Sequence, residues 1–213
     1  MNPIETLDDI AGALQALCRQ DRRLEPIAVA AGSIPLRRRS ADFAGLAQII
    51  TGQQVSVASA SAIFARLEAA VSPLTAESIA TTSDAALAAA GLSRPKIAAL
   101  RAVSSACLNG LDLGHLSRRP AEEAHATLCG IKGIGRWSAD IFLLFCAGHP
   151  DVFPSGDLAL QNAVRDALLL PERPKPKDLD VIATDWAPYR AVAARLFWAW
   201  YKAQRQGRDA VPL

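Results

Sequence analysis

The stretch LCGIKGIGRWSAD, residues 128–140, constrains the fold more than any other part of the chain, because it places three glycines between two segments with helical patterning. Glycine costs a helix about 1 kcal/mol relative to alanine, so these glycines indicate a backbone that side chains would obstruct. Three structures need such a backbone: a dinucleotide-binding loop, a phosphate-binding loop, or a tight turn between two helices.

The residues around the glycines exclude the two nucleotide-binding loops. A GxGxxG loop follows a strand, but the preceding AEEAHATLC is helical and Ser138 takes the place of the third glycine. A P-loop needs Lys and Ser or Thr after its glycines, and GIKGIGRW lacks them. A helix–hairpin–helix remains, in which backbone N–H groups bind a phosphate without reading sequence. The alternative is an ordinary turn between two helices, in which a glycine ends the first helix.

The rest of the chain also indicates helices. Apolar residues recur at helical spacing on both sides of TGQQVS. Capping residues and prolines delimit further helices at Ser83, at Ser93 with Pro95, and at Pro120. A helix from LALQNAVRDALLL stops at Pro171, and a proline-and-charge linker, PERPKPKDLD, precedes the last helix. We therefore predict an all-α fold of about ten short helices.

Composition sets wide bounds on function. The 213 residues are 51% apolar, and a net charge of +2 neither requires nor excludes nucleic acid as a partner. The segment MNPIETLDDIAGALQ has no signal-peptide pattern, and no apolar run is long enough to span a membrane. We expect a cytoplasmic protein, nucleoid-associated if bacterial. The widely spaced cysteines, predicted to be reduced thiols, are Cys18, Cys107, Cys129 and Cys146.

The hairpin and a later segment, DVFPSGDLAL, together resemble the helix-hairpin-helix DNA glycosylase superfamily, which is named for this hairpin and for the Gly/Pro-rich loop and Asp that follow it. The Asp is Asp157. The segments IITGQQVSVASASAIFARL, GLSRPKIAALRAV and WAPYRAVAARLFW are similar to the 3-methyladenine DNA glycosylase II branch. The likeness runs from about Phe43 to Tyr201. Longer bacterial members carry an α/β domain that the 42 preceding residues cannot hold, so the chain resembles a compact form.

The resemblance implies two helical subdomains that flank a cleft for DNA and the active site. One comprises residues 43–153, with the helix-hairpin-helix at about 121–147, and the other comprises residues 1–42 plus 154–213. The whole chain, 1–213, is then a single glycosylase unit. We expect a monomer that acts on double-stranded DNA containing alkylated bases.

By the resemblance, Asp157 is the catalytic carboxylate, although its position before an amphipathic helix also predicts an N-cap, and one residue can serve both roles. Trp137 and Tyr189 then line the base pocket. At a third position where the family has an aromatic residue, this chain has Ile141. Bifunctional relatives have a nucleophilic Lys where this chain has Trp137, so no lyase activity is expected. Three histidines, predicted at helix ends or surfaces, are His115, His125 and His149. Three tryptophans assigned to helix packing are Trp186, Trp198 and Trp200.

DNA contacts are predicted from the same resemblance. The TGQQVS loop enters the minor groove with Gln53 and with Gln54 as the wedge; alternatively it is an ordinary connection capped by Ser56. The predicted hairpin contacts are Gly133, Ile134, Gly135 and Arg136. Further candidate phosphate contacts, which a solvated face also explains, are Lys132 and Arg37, Arg38 and Arg39.

The family hairpin holds a cation with backbone carbonyls, which here belong to Cys129, Ile131 and Ile134. No cofactor is otherwise expected, because the cysteines cannot form the clustered iron–sulfur site of endonuclease III relatives. The expected activity is hydrolytic excision of alkylated purines, with 3-methyladenine as the main substrate and 7-methylguanine as a second one. Two alternatives stay open: a glycosylase for oxidised or mismatched bases, and a noncatalytic helix-hairpin-helix DNA-binding module.

Overall fold

The computed structural model describes residues 2–205 and contains no strand in that range. The predicted all-α class is therefore confirmed. The α-helices are α1 (Leu7–Gln20), α2 (Leu24–Ala31), α3 (Phe43–Gly52), α4 (Val57–Ala70), α5 (Ala76–Thr81), α6 (Asp84–Ala89), α7 (Arg94–Leu108), α8 (Ala121–Cys129), α9 (Arg136–Ile141), α10 (Leu158–Ala167), α11 (Pro176–Thr184) and α12 (Arg190–Gln204). A 3-10 helix covers Gly114–Arg118, and a π-helical segment, Phe142–Ala147, follows α9 directly.

One compact unit comprises Arg39–Ala147. Its central helix is α3, which packs against α4, α7, α9 and the π-helical segment. The side chains of Leu46, Ile49 and Ile50 are at most 1% exposed, because α3 is surrounded by these helices. Burial of apolar side chains on several faces of α3 stabilises this unit and fixes the position of the loop that follows the helix.

The other unit comprises the described residues up to Arg38 and those from Gly148 onward. Its central helix is α12, which packs against α1, α2 and α10. The ring of Trp186 stacks obliquely between Phe153 and Phe197, at centroid distances of 5.3 Å and 4.9 Å. Burial of Trp186 and Trp198 confirms their assignment to the core, whereas Trp200 is only half-buried.

Two local predictions were wrong. The linker PERPKPKDLD contains most of α11, because Pro176 suits the first turn of a helix and Leu179 lies in the core. The helix before Pro171 ends at Ala167, earlier than the proline, with Leu169 in a left-handed conformation. His149 follows the end of the π-helical segment by two residues, in agreement with its predicted place at a helix end; it is buried, and its ring nitrogen accepts the amide N–H of Asp151 at 3.1 Å.

The helices within residues 2–205 include none that is both long and apolar enough to cross a membrane.

Candidate functional site

The hairpin between α8 and α9 is held by its own backbone. The amide of Ile131 donates to the carbonyl of Leu128, and the amide of Ile134 donates to the carbonyl of Ile131, both at 3.0 Å. The side chains of Ile131 and Ile134 are buried and anchor the turn from below. The predicted helix-hairpin-helix is therefore present, and the exposed residues of its turn are three glycines and Lys132.

Two glycines of the hairpin are needed for different reasons. Gly133 has a φ of +89°, and a Cβ there would lie 2.5 Å from the Cβ of Ala99 on α7. Gly135 has a φ of −88°, and a Cβ there would meet no atom within 4 Å. The fold thus requires glycine at Gly133, because of conformation and close packing. Nothing in the fold requires it at Gly135, where the space above the backbone is open.

The loop between α3 and α4 is tied to the hairpin by Gln53. Its Nε2 donates to the Oγ of Ser138 at 2.9 Å and to the carbonyl of Gly133 at 3.3 Å. Gln54 is exposed and adopts a φ of +56°. Ser56 caps α4 by accepting the amide of Ser59, which confirms the capping interpretation. The role of Gln54 as a wedge stays a prediction.

A buried carboxylate links the two helices of the hairpin. Asp140 on α9 is 4% exposed, and its oxygens lie 3.4 Å from the Nε2 of His125 on α8 and 3.8 Å from the Nε of Arg136. The pKa of the Cys129 thiol is raised by burial and by the charge of Asp140. Arg136 is half exposed, so the same side chain faces Asp140 and the surface where a phosphate is predicted.

Asp157 ends the loop that precedes α10. The carboxylate is 8% exposed, and its Oδ1 accepts two hydrogen bonds, from the amide of Leu160 at 3.0 Å and from the indole Nε1 of Trp198 at 3.3 Å. The first bond confirms the predicted N-cap. The second comes from α12 and holds the carboxylate in one orientation, which suits a fixed charge in a reaction as well as a cap.

The same loop is held a second time through Ser155, which is fully buried. Its hydroxyl donates to the carboxylate of Asp180 on α11, and its carbonyl accepts the side-chain Nε2 of Gln161 on α10 at 2.8 Å. Two helices that lie after the loop in sequence therefore position Ser155, two residues before Asp157.

The turn that carries Tyr189 is fastened to the end of α1. The Nε2 of Gln20 donates to the carbonyls of Asp185 and Ala187, at 2.6 Å and 2.8 Å. Asp21 accepts the indole N–H of Trp186 at 3.0 Å. The Arg23 guanidinium, with the Trp186 bond in addition, holds the pKa of Asp21 below its ordinary value. Tyr189 is half-buried at the start of α12.

The arginine run includes two residues, Arg37 and Arg38, whose charges act on a buried arginine of α12. Arg195 on α12 is 3% exposed and donates to the carbonyl of Leu36. Burial, together with repulsion from Arg38 and Arg37, lowers the pKa of Arg195 to about 9. Arg39 is exposed and donates to the Oε1 of Gln48 at 2.9 Å. A phosphate contact from this run stays a prediction.

In the unit Arg39–Ala147, the structure brings together Gln53, Gly133 and Ser138. In the other unit, it brings together Asp157 and Trp198. Trp137 is half-buried on α9, whereas Ile141 is fully buried in the core of its unit. Sequence reasoning missed the residues that hold these groups in place, which are Gln20, Asp21, Asp180, Trp198 as a hydrogen-bond donor, and Lys96, whose Nζ donates to the carbonyl of Thr51. Only Lys96 carries a local signal, because it is a charged residue on the apolar face that Ala99, Leu100 and Val103 define.

Comparison with known proteins is consistent with this arrangement. Residues 47–188 match the model of the HhH-GPD superfamily of base excision DNA repair proteins. DNA-3-methyladenine glycosylase 1 of Schizosaccharomyces pombe is 31% identical over 158 residues, which make up 72% of this chain and 69% of that protein. The alkylbase DNA glycosidase-like protein mag2 of the same organism is 26% identical over 174 residues, or 79% and 82% of the two chains.

Two solved structures are similar over almost the whole chain. A DNA-3-methyladenine glycosidase from Bacillus halodurans superposes with a TM-score of 0.80 at 32% identity and covers 94% of this chain and 93% of its own. The S. pombe 3-methyladenine DNA glycosylase Mag1, in complex with abasic DNA, superposes with a TM-score of 0.73 at 26% identity, covering 90% and 95%.

Proposed function

Because this chain belongs to the HhH-GPD superfamily of base excision DNA repair proteins, we propose that it is a DNA glycosylase that excises alkylated purines, 3-methyladenine first and then 7-methylguanine. The expected branch is confirmed by relatives and solved structures named as 3-methyladenine glycosylases. The chain binds DNA, as its structural neighbours do. We propose that it acts as a monomer on a damaged duplex.

The observation that carries the proposal is the buried, doubly hydrogen-bonded carboxylate of Asp157. Cleavage of an N-glycosidic bond develops positive charge on the sugar, and a carboxylate held in place stabilises that charge and orients the attacking water. A cationic N-alkylpurine leaves without strong assistance from an acid. Asp157 therefore supplies the main chemical requirement of the reaction.

We assign the flipped base to the aromatic faces of Trp137 and Tyr189. Each of the two residues is half-buried within its own unit. Stacking and cation–π attraction favour electron-poor alkylated purines on aromatic faces. Ile141 adds no aromatic surface, because it is an aliphatic residue buried in the core of its unit.

The hairpin is the proposed grip on the DNA backbone. The open space above Gly135 admits a phosphate to the amides of Gly135 and Arg136, and the half-exposed Arg136 side chain adds a charge. The carbonyls of Cys129, Ile131 and Ile134 are the proposed ligands of a cation there. Carbonyl oxygens suit a hard cation, and Ile131 keeps a second lone pair beside its bond from Ile134. Such a cation would link the hairpin to a phosphate.

The direct test is release of free bases from methylated DNA by the purified protein. Chromatography should show free 3-methyladenine and 7-methylguanine, and strands should break only after alkali or an abasic endonuclease is added. Borohydride should trap no protein–DNA adduct, because Trp137 stands where a Schiff-base Lys would be needed. DNA binding without base release would favour a noncatalytic module, and release of oxidised or mismatched bases alone would change the substrate class.

A further inference from the structure

Helix α7 contacts both elements that the proposed function places on DNA. Lys96 and Ala99 lie three residues apart and therefore on one face of the helix. The Nζ of Lys96 donates to the carbonyl of Thr51 at 2.8 Å, in the last turn of α3. Ala99 lies against Gly133 of the hairpin, so closely that a Cβ at Gly133 has no room. One helix face thus supports the start of the TGQQVS loop and the turn of the hairpin.

Lys96 is an expensive residue at this position. It is 8% exposed, and burial lowers the pKa of its ammonium group. Among residues 2–205 no carboxylate forms an ion pair with it. An aliphatic side chain of similar volume would fill the same space without the desolvation cost of a charge. What the ammonium adds is a directed bond to one carbonyl at a helix C-terminus, where the dipole favours a cation.

Gln53 closes the connection from the loop side. It follows Thr51 by two residues and donates to Ser138 and to the carbonyl of Gly133. The residue after it, Gln54, is the exposed tip of the loop. The loop base is therefore held to α7 through Lys96 and to the hairpin through Gln53, all within one compact unit.

We propose that Lys96 is a positioning residue for base flipping, which sets the distance between the loop tip that enters the duplex and the hairpin that holds the phosphate. The proposal rests on the proposed function, since it presumes that both elements meet DNA. A loop displaced from its register still leaves the hairpin able to bind the backbone. The displaced loop fails at the step in which its tip replaces an extruded base. A misplacement of about 1 Å can lower the rate of a catalysed step by as much as 10²-fold.

The test uses Lys96→Met in the full-length protein, with Lys177→Met as the matched control. Both substitutions remove one lysine charge, but Lys177 is exposed on α11 and has no part in the site. Single-turnover excision is measured on an oligonucleotide with one N-methylated purine, either normally paired or opposite an abasic site. The unpaired lesion needs less energy to leave the stack, so it depends less on the loop.

For Lys96→Met we expect excision of the paired lesion to fall about 10-fold or more, excision of the unpaired lesion to fall clearly less, and affinity for undamaged duplex and its salt dependence to stay at the wild-type level. Lys177→Met should match the wild type throughout. Gln53→Leu, a change in a half-buried loop residue, should also lower excision of the paired lesion more than excision of the unpaired lesion, and this comparison carries the test if Lys96→Met melts below the assay temperature.

Equal losses on paired and unpaired lesions would overturn the proposal, because they would indicate a general effect on folding or chemistry. Unchanged excision by folded Lys96→Met would overturn it as well. Base release by the wild-type protein is measured first, so a failure of the proposed function is recognised before the variants are compared.

Discussion

The hairpin and the loop that carries Asp157 are both compact turns with main-chain hydrogen bonds before a helix, but they differ in what else they require. The hairpin requires the missing side chain at Gly133. The Asp157 loop requires side chains from distant segments, with Trp198 lying 41 residues from Asp157 and Asp180 lying 25 residues from Ser155. A surface that presents backbone to a ligand needs space, whereas a single reactive carboxylate needs fixed partners.

The largest effect expected from this difference is at Asp157 itself. Asn has nearly the same size and is itself a good N-cap, so Asp157→Asn should keep the bond from Leu160 and the melting temperature. Loss of the charge should lower single-turnover excision by about 10² or more, with affinity for damaged DNA near the wild-type value. Asp166→Asn, on the same helix, is the control. Near-normal excision by Asp157→Asn would show that Asp157 only caps α10 and takes no part in the reaction.

A smaller loss is expected when the loop is loosened and the carboxylate is kept. Asp180→Ala removes the acceptor of the Ser155 hydroxyl, so excision should fall by about 10-fold while duplex affinity is retained. Asp180→Asn keeps an acceptor oxygen and should restore most of the rate. The rate at saturating enzyme and the Kd are measured together. If Asn fails as Ala does, the charge of Asp180, and not its hydrogen bond, supports the loop.

The two hairpin glycines allow the comparison to be made inside one motif. Gly133→Ala should lower the free energy of unfolding by more than about 1 kcal/mol, because the residue must keep a positive φ and avoid Ala99. Gly135→Leu is the larger substitution, yet it should leave the melting temperature almost unchanged and weaken binding to damaged and undamaged duplex alike.

Thermal melting and DNA affinity are measured on both variants. A fall in melting temperature for Gly135→Leu with unchanged affinity of the folded protein would show that Gly135 serves the turn alone.

The smallest effect concerns the turn before Tyr189. Since Arg23 and Trp186 lower the pKa of Asp21 in the folded protein, the stability that Asp21 contributes is complete above about pH 4 and is lost as the pH falls through the lowered value. The melting temperatures of wild type and Asp21→Asn should therefore differ most near neutral pH and converge in acid. The difference should be small, because Arg23 is 58% exposed. A difference that stays constant from pH 3 to pH 7 would contradict this account.

The local pattern of the chain was sufficient for the helical class, for the hairpin, and for caps such as Ser56 and Asp157. These features follow from residues three or four positions apart, which is the range over which helical periodicity and capping act. The same pattern led to the wrong prediction of a linker at Pro176, where α11 begins. In a proline-rich, charged segment, a proline in the first turn of a helix cannot be distinguished from one in a linker. The pattern did not indicate that His149, at a helix end, would be buried, since burial of one polar ring depends on tertiary packing and not on its neighbours in sequence.

The sequence by itself determined where the backbone turns and which residue types the site offers: the glycines of the hairpin, the carboxylate of Asp157 and the aromatic rings of Trp137 and Tyr189. Only the tertiary structure decided what holds them, which is Trp198 for the carboxylate, Gln20 for the turn before Tyr189 and Lys96 for the loop beside the hairpin. Those partners lie between 41 and 167 residues from the groups they bind. No local spacing encodes such pairs, because they form only when helix packing brings residues that are distant in sequence within hydrogen-bond distance.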